Sequence, residues 1–339
     1  MSKFIKNNDL LEKYQGKMQD VIVPEEIKTI GIDAFLRNKS LQRVIIPDGV
    51  NEIGMGAFYE CKNLISISLP KSLSKIGKHA FWGCENLKEV CIPDEVTSIS
   101  EAAFCECSSL KKVVLSENIT EIRGCTFEGC SSLTDITIPK NVKKIGRLAF
   151  TMCRSLKEII IPEGVNKIDS MAFAFCYGLE TVVIQKNVTE IKELAFEDCH
   201  NLKNIVILND DVKIYDKAFQ GVFGLCEKND YFNKLDSKEL QRLFGELPKH
   251  FIFSGVIDET SPAWKNLVSA VKRDGCNFIP TWINLPENKD NSVKNAKLFL
   301  SLWKKVPLNK LEACIEASDF YDQIEANKIY NEYKTLMYP

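Results

Sequence analysis

Thirteen cysteines and three histidines are the residues with the widest chemical reach in this 339-residue chain. Seven of the cysteines, Cys61, Cys84, Cys107, Cys130, Cys153, Cys176 and Cys199, recur at intervals of 23 residues. One thiol per repeat invites zinc or disulfide chemistry, and geometry argues against both. Stacked at the spacing of neighbouring strands, about 5 Å, such thiols form a line. Zinc instead gathers four ligands round a point, about 2.3 Å from each sulfur. Parallel side-chain vectors also suit the disulfide dihedral poorly. The column is expected to hold buried, reduced thiols that fill space and donate weakly. No cysteine pair has C-x2-C spacing, and neither a metal nor a cofactor is expected.

Nucleophilic catalysis has as little to build on. Cys91, Cys105 and Cys125 fall outside the column, and His79 and His200 occupy different places in the repeat. Neither histidine is set beside a nucleophile or a carboxylate in the way acyl transfer requires. The phosphate-binding, dinucleotide-binding, zincin and nucleophile-elbow motifs are all absent. An enzyme would have to be built from His250, Asp274 and Cys276 in the last third, whose spacing sets them apart from no random trio. A noncatalytic chain is expected.

The elements that would position these residues are written in the same period. Phenylalanine recurs nine times at 23-residue spacing, from Phe35 through Phe127 to Phe219. Alanine precedes it everywhere except at Thr126, and leucine follows six positions later, from Leu41 to Leu225. A run such as Val44-Ile45-Ile46-Pro47 comes next. Its alternation predicts a short strand with Val44 and Ile46 inward and Arg43 and Ile45 outward. Proline at 24, 47, 70, 93, 139 and 162 lacks the donor that would continue a ladder, so the chain turns there. A second apolar pair, such as Val50 and Ile53, precedes the bend that drops each ring inward. One such unit cannot bury its own ring, whereas stacked copies bury each other's.

The pattern L-x-x-V/I-x-I-P-x-x-V-x-x-I-G-x-x-A-F-x-x-C resembles the BspA type of leucine-rich repeat over residues 18–226. The resemblance implies an α/β repeat solenoid, right-handed, with short parallel strands in nine in-phase turns. It also implies binding of protein partners, in many members at a cell surface and for adhesion.

The candidate partner surface is the outward strand column on the face expected to be concave. It reads Ile22, Ile45, Ser68, Cys91, Val114, Thr137, Ile160, Val183 and Val206, beside a polar column containing Arg43, Glu89, Lys112, Asp135 and Glu158. An apolar stripe flanked by mixed charge suits a protein partner. The same stripe would also arise from the strand preference of β-branched residues, or lie beneath a C-terminal region folded over it.

Forty-four basic against 46 acidic residues leave a net charge of −2, so no general footprint for nucleic acid or anionic lipid exists. There is no apolar run long enough for membrane insertion, and a monomer is expected. Residues 1–20 contain no apolar signal-peptide core. That leads to the expectation of a cytoplasmic chain, with a secreted or cell-surface location as the alternative. Residues 1–17 are expected to form a helical cap, in which Leu10, Leu11 and Tyr14 cover the first strand. After Cys226 the period stops, and residues 227–339 are expected to form an α-helical domain. Its helix signals are the capping box Asp236/Glu239, Ser261-Pro262 with the stop at Gly275, and apolar faces over 292–306, 308–315 and 321–337.

Overall fold

The computed structural model describes residues 3–222, the strands Gly224–Cys226, His250–Ser254 and Ile279–Ile283, and a few single positions between 235 and 243. Residues 3–222 form a β-solenoid with three sides. The first side carries the strands anticipated from the alternation, among them Asp20–Ile22, Arg43–Ile45, Lys112–Val114 and Glu158–Ile161. These strands form three successive three-stranded sheets, within which neighbours pair in parallel and in register one repeat apart, as in Val44 with Ile67 and Ile159 with Val182. The second side carries two-residue strands such as Glu52–Ile53 and Lys144–Ile145, also parallel. Val44, Ile46, Val50, Ile53 and Leu64 all point into the core and are buried.

The third side departs from the expected α/β class, because no helix is described between residues 3 and 222. The residues two before and two after each Phe are held at positive φ, as Asp33 (54°) and Arg37 (53°) flank Phe35 and Leu148 (59°) and Met152 (62°) flank Phe150. Left-handed residues at that spacing interrupt helical hydrogen bonding. The amides instead reach the next turn: Phe35 N–H donates to the Ala57 carbonyl at 2.7 Å and Phe150 N–H to the Ala172 carbonyl at 2.7 Å. A third ladder thus runs along the rings. The ring centroids of successive phenylalanines lie 4.7 to 5.8 Å apart with interplanar angles of 3–19°, and all nine rings are buried.

Each column thiol donates to the carbonyl of the Phe in the preceding turn. Cys61 Sγ lies 3.0 Å from the Phe35 oxygen and Cys130 Sγ 3.2 Å from that of Phe104. In the first turn Asn38 takes the cysteine's place, its Nδ2 donating to Gly16 O at 3.1 Å. Cys130→Ala is therefore expected to cost about 1–3 kcal/mol, a small void plus a lost buried donor. Cys130→Ser, which keeps a donor, should cost less in chemical denaturation.

Gly31, Gly54, Gly77 and Gly146, at the corner before four of the nine rings, permit close approach of successive turns. A Cβ on Gly77 would stand 2.6 Å from the Gly54 carbonyl carbon, and one on Gly146 2.7 Å from the Gly124 nitrogen.

The N-terminal cap is a β-hairpin and not the expected helix. Phe4–Asn7 pairs antiparallel with Leu10–Tyr14, which continues the second side in parallel through Leu11 and Ile30. The spacing of Leu10, Leu11 and Tyr14 suits a helix face, but the first turn presents an open edge of backbone donors and acceptors that only a strand satisfies. Tyr14 N–H donates to the Ala34 carbonyl at 2.7 Å. Its ring lies 5.2 Å from Phe35 and 5.0 Å from Phe4, so Phe35 is an interior member of the stack. Gly16 leaves room for that ring. The Tyr14 hydroxyl is buried without a hydrogen-bond partner among the described residues. Because an unsatisfied buried hydroxyl costs about 1–3 kcal/mol, Tyr14→Phe is expected to raise the melting temperature. A fall would show that the hydroxyl is satisfied.

Lys203–Val206 and the segment from residue 223 group into a second compact unit. The segment's described strands, Gly224–Cys226, His250–Ser254 and Ile279–Ile283, form a parallel three-stranded sheet. The all-helical expectation fails there because short aromatic and β-branched runs, Phe251-Ile252-Phe253 and Thr281-Trp282-Ile283, have strand composition. Leu243, on the first expected helix, is helical and buried. The other expected helices, with Asp274 and Cys276, lie outside the described residues. Among the described residues no helix is long and apolar enough to cross a membrane.

Candidate binding face

Alternation along the three-residue strands decides which side chains reach solvent on the first side. Ile22, Ile45, Val114, Ile160 and Val206 are 66%, 49%, 45%, 57% and 42% exposed. Ser68, Cys91 and Thr137 complete the exposed column, and Val183 is half-buried. Arg43, Glu89, Lys112, Asp135 and Glu158 are exposed beside it. The fold thus brings the candidate residues onto one face as a continuous row.

Several of the flanking charges are paired across turns. Arg43 Nε lies 2.7 Å from Asp20 Oδ1, Lys112 Nζ 3.0 Å from Asp135 Oδ2, and Lys157 Nζ 2.9 Å from Glu180 Oε1. The hydrogen bond to Asp20 holds the Arg43 guanidinium above its usual pKa. Exposed pairs of this kind contribute little to stability, so their effect lies in fixing where charge sits on the face.

The reactive side chains are placed for packing. Burial pushes the Cys61 thiol up to about 12 and holds those of Cys84 and Cys130 well above the usual thiol range. Cys105 and Cys125, outside the column, are each pushed up to about 12 by burial and by the neighbouring Glu128. Such groups are poor nucleophiles. Among the described residues no three His, Cys, Asp or Glu side chains gather as metal ligands. His250 lies in a strand of the second unit. Alkylation of the native protein at pH 8 is expected to label exposed Cys91 and leave the seven column cysteines untouched until denaturant is added. Column labelling at the Cys91 rate, mapped by mass spectrometry, would contradict this packing.

A second apolar patch escaped the reading of the sequence. On the ring side, Ile32, Met55 and Leu36 are 62%, 47% and 43% exposed. Beside them Tyr59 stacks on Trp82 at 4.7 Å, with the Arg37 guanidinium 5.9 Å from the Tyr59 centroid and His79 edge-on at 6.4 Å. The signal was the columns three before and one after each Phe, which carry these residues only in the first three turns.

Comparison with known proteins places this architecture. The chain is similar to a leucine-rich repeat protein of T. pallidum, at 25% identity, covering 65% of this chain and 85% of that one with a TM-score of 0.41. It is similar to a leucine-rich cell surface protein of Faecalibacterium prausnitzii, at 22% identity over 86% of this chain and 95% of that one, TM-score 0.41. It is also similar to an internalin of Listeria monocytogenes, at 12% identity over 86% of each chain, TM-score 0.33. No curated protein matches it. The model of the BspA type leucine-rich repeat region matches residues 12–134 and 97–226. With the 23-residue period, the stacked rings and the family model coinciding over most of its length, the chain belongs to the BspA type leucine-rich repeat family.

Proposed function

We propose that this protein is a noncatalytic binding module that holds a protein partner on the exposed strand face. One observation carries the reading. Five large aliphatic side chains stand between 42% and 66% exposed in a single row, where a stable surface gains nothing from them. Strand preference accounts for β-branched residues, yet Ser68 and Thr137 show that polar residues are accommodated in the same column. We further take the chain to act in the cytoplasm, a reading supported by the ten described cysteines, all free.

Affinity capture from the native cell tests the face. Val114→Glu with Ile160→Glu is expected to reduce partner recovery at least about tenfold, because a carboxylate desolvated at the centre of an interface costs several kcal/mol. Melting should change by no more than about 0.5 kcal/mol per site, since both side chains face solvent. Lys143→Glu, exposed and beside the second ladder, serves as the control. Loss with the control and retention with the pair would move the partner to another side.

A further inference from the structure

We infer that the strand face accepts a second copy of this chain, docked face to face with the two solenoid axes parallel. This rests on the reading of that face as a protein-contact surface and replaces the monomer expected from sequence. Shape permits it. In a horseshoe repeat, bulky elements on the outer side spread the turns, whereas here extended backbone lines every side, hydrogen-bonded in three successive three-stranded sheets on the strand face, in two sheets on the second side and along the rings on the third, where centroids lie 4.7 to 5.8 Å apart, close to strand spacing. With the turns held at nearly the same rise on each side, the strand face has little curvature, and two copies can meet along its length.

Charge selects the orientation. Each turn carries residues at the strand's start on one margin of the stripe, and a corner residue just past the proline position on the other. These margins are about 16 Å apart along an extended strand, too far to pair within one copy. A two-fold axis parallel to the solenoid axis sets the start margin of each turn against the corner of the same turn in the other copy. Arg43, already paired with Asp20 in its own copy, then faces Asp48, and Lys111 with Lys112, the latter paired with Asp135, face Glu117. At the next turn both signs are reversed together, Asp135 facing Lys140, and the same order returns where Glu180, paired with Lys157 in its own copy, faces Lys186. Asp20 against Glu25 is the one mismatch among the first eight turns, the remaining turns having a start margin with no net charge. The corner charges Asp48, Glu117, Lys140 and Lys186 are exposed, and none has an ion-pair partner among the described residues. An antiparallel arrangement centred on the same eight turns would oppose Asp48 to Glu163, Lys71 to Lys140 and Asp94 to Glu117, with Glu25 against Lys186 its one favourable corner pair.

Eight turns at about 4.8 Å, across about 16 Å, give roughly 600 Å² per copy and 1,200 Å² in all, the lower end of specific interfaces. A weak, concentration-dependent dimer follows. Sedimentation velocity of the full chain from about 1 to about 200 µM is expected to show a monomer–dimer equilibrium. Ile160→Glu should weaken it at least tenfold. Lys111→Glu with Lys112→Glu should weaken it, as should Glu117→Lys alone, and the three substitutions together should restore it, because each copy supplies both margins. A monomer throughout, a dimer indifferent to Ile160→Glu, or absence of rescue in the triple variant would overturn the proposal. If the wild type stays monomeric while Val114→Glu with Ile160→Glu still abolishes capture, the second copy is excluded and the contact face stands.

Discussion

Phe127→Ala is expected to destabilise the protein by about 3–5 kcal/mol, the range for removing a large buried ring. Phe127 is fully buried and stacks between Phe104 at 5.8 Å and Phe150 at 5.4 Å. Neither neighbour can move into the void, because the amides beside each ring are tied to adjacent turns: Phe127 N–H to Ala149 O at 2.8 Å and Phe104 N–H to Thr126 O at 3.0 Å. Sequence alone predicts a smaller loss for Phe35, at the start of the array. The hairpin removes that difference, since Phe35 is sandwiched between Tyr14 and Phe58. Phe35→Ala should fall within about 1 kcal/mol of Phe127→Ala. A cost below about 1 kcal/mol for Phe127→Ala in chemical denaturation would mean that the ring column is not the core.

Deleting residues 1–16 is the second large effect expected. The deletion strips Tyr14 and Leu11 from the first turn, uncovers the Phe35 ring, and opens the edges at Thr29–Ile30 and Ala34. Exposing one ring and a buried leucine costs on the order of 4 kcal/mol. An uncovered parallel edge is also a template for another chain. The truncated protein should melt well below the full chain and form end-to-end aggregates that Ile160→Glu does not dissolve. Unchanged melting and solubility would show that the hairpin is an appendage. In the intact protein the outermost strand is short, carries Lys6 paired with Glu26, and contains a register irregularity between Ile5 and Lys6, all of which discourage edge pairing.

The period made the solenoid legible because Phe faces the core in all nine turns, Leu from Leu41 to Leu202, and Cys in the seven turns from Cys61 to Cys199, and only positions that must be filled alike repeat in identity. The left-handed positions beside each Phe were hidden for the opposite reason. Asp33, His79, Leu148 and Met171 occupy equivalent places, and glycine stands at only Gly56, Gly83, Gly129 and Gly221, so the constraint acts on the backbone and leaves no single residue type behind. Without it, the stretch around the ring reads as a bend and the third ladder goes unseen. Leu10, Leu11 and Tyr14 fit a helix face and an inward strand face equally, and the open edge of the first turn decides between them. The candidate face was legible through strand alternation. The corner charges beyond the proline positions carried no signal in the sequence, because nothing there showed that they border the strand face.

Cys91 offers the most direct measurement of whether that face is where protein is bound. It stands exposed in the middle of the stripe, between Ser68 and Val114, and the column cysteines serve as buried internal references. Timed alkylation read by mass spectrometry compares the isolated chain with the chain held in its native complex. The expected result is labelling of Cys91 slowed at least about tenfold in the complex, as for a group desolvated at an interface core. The column thiols should stay silent in both. Equal Cys91 labelling in the two states would contradict the assignment of the strand face as the contact surface.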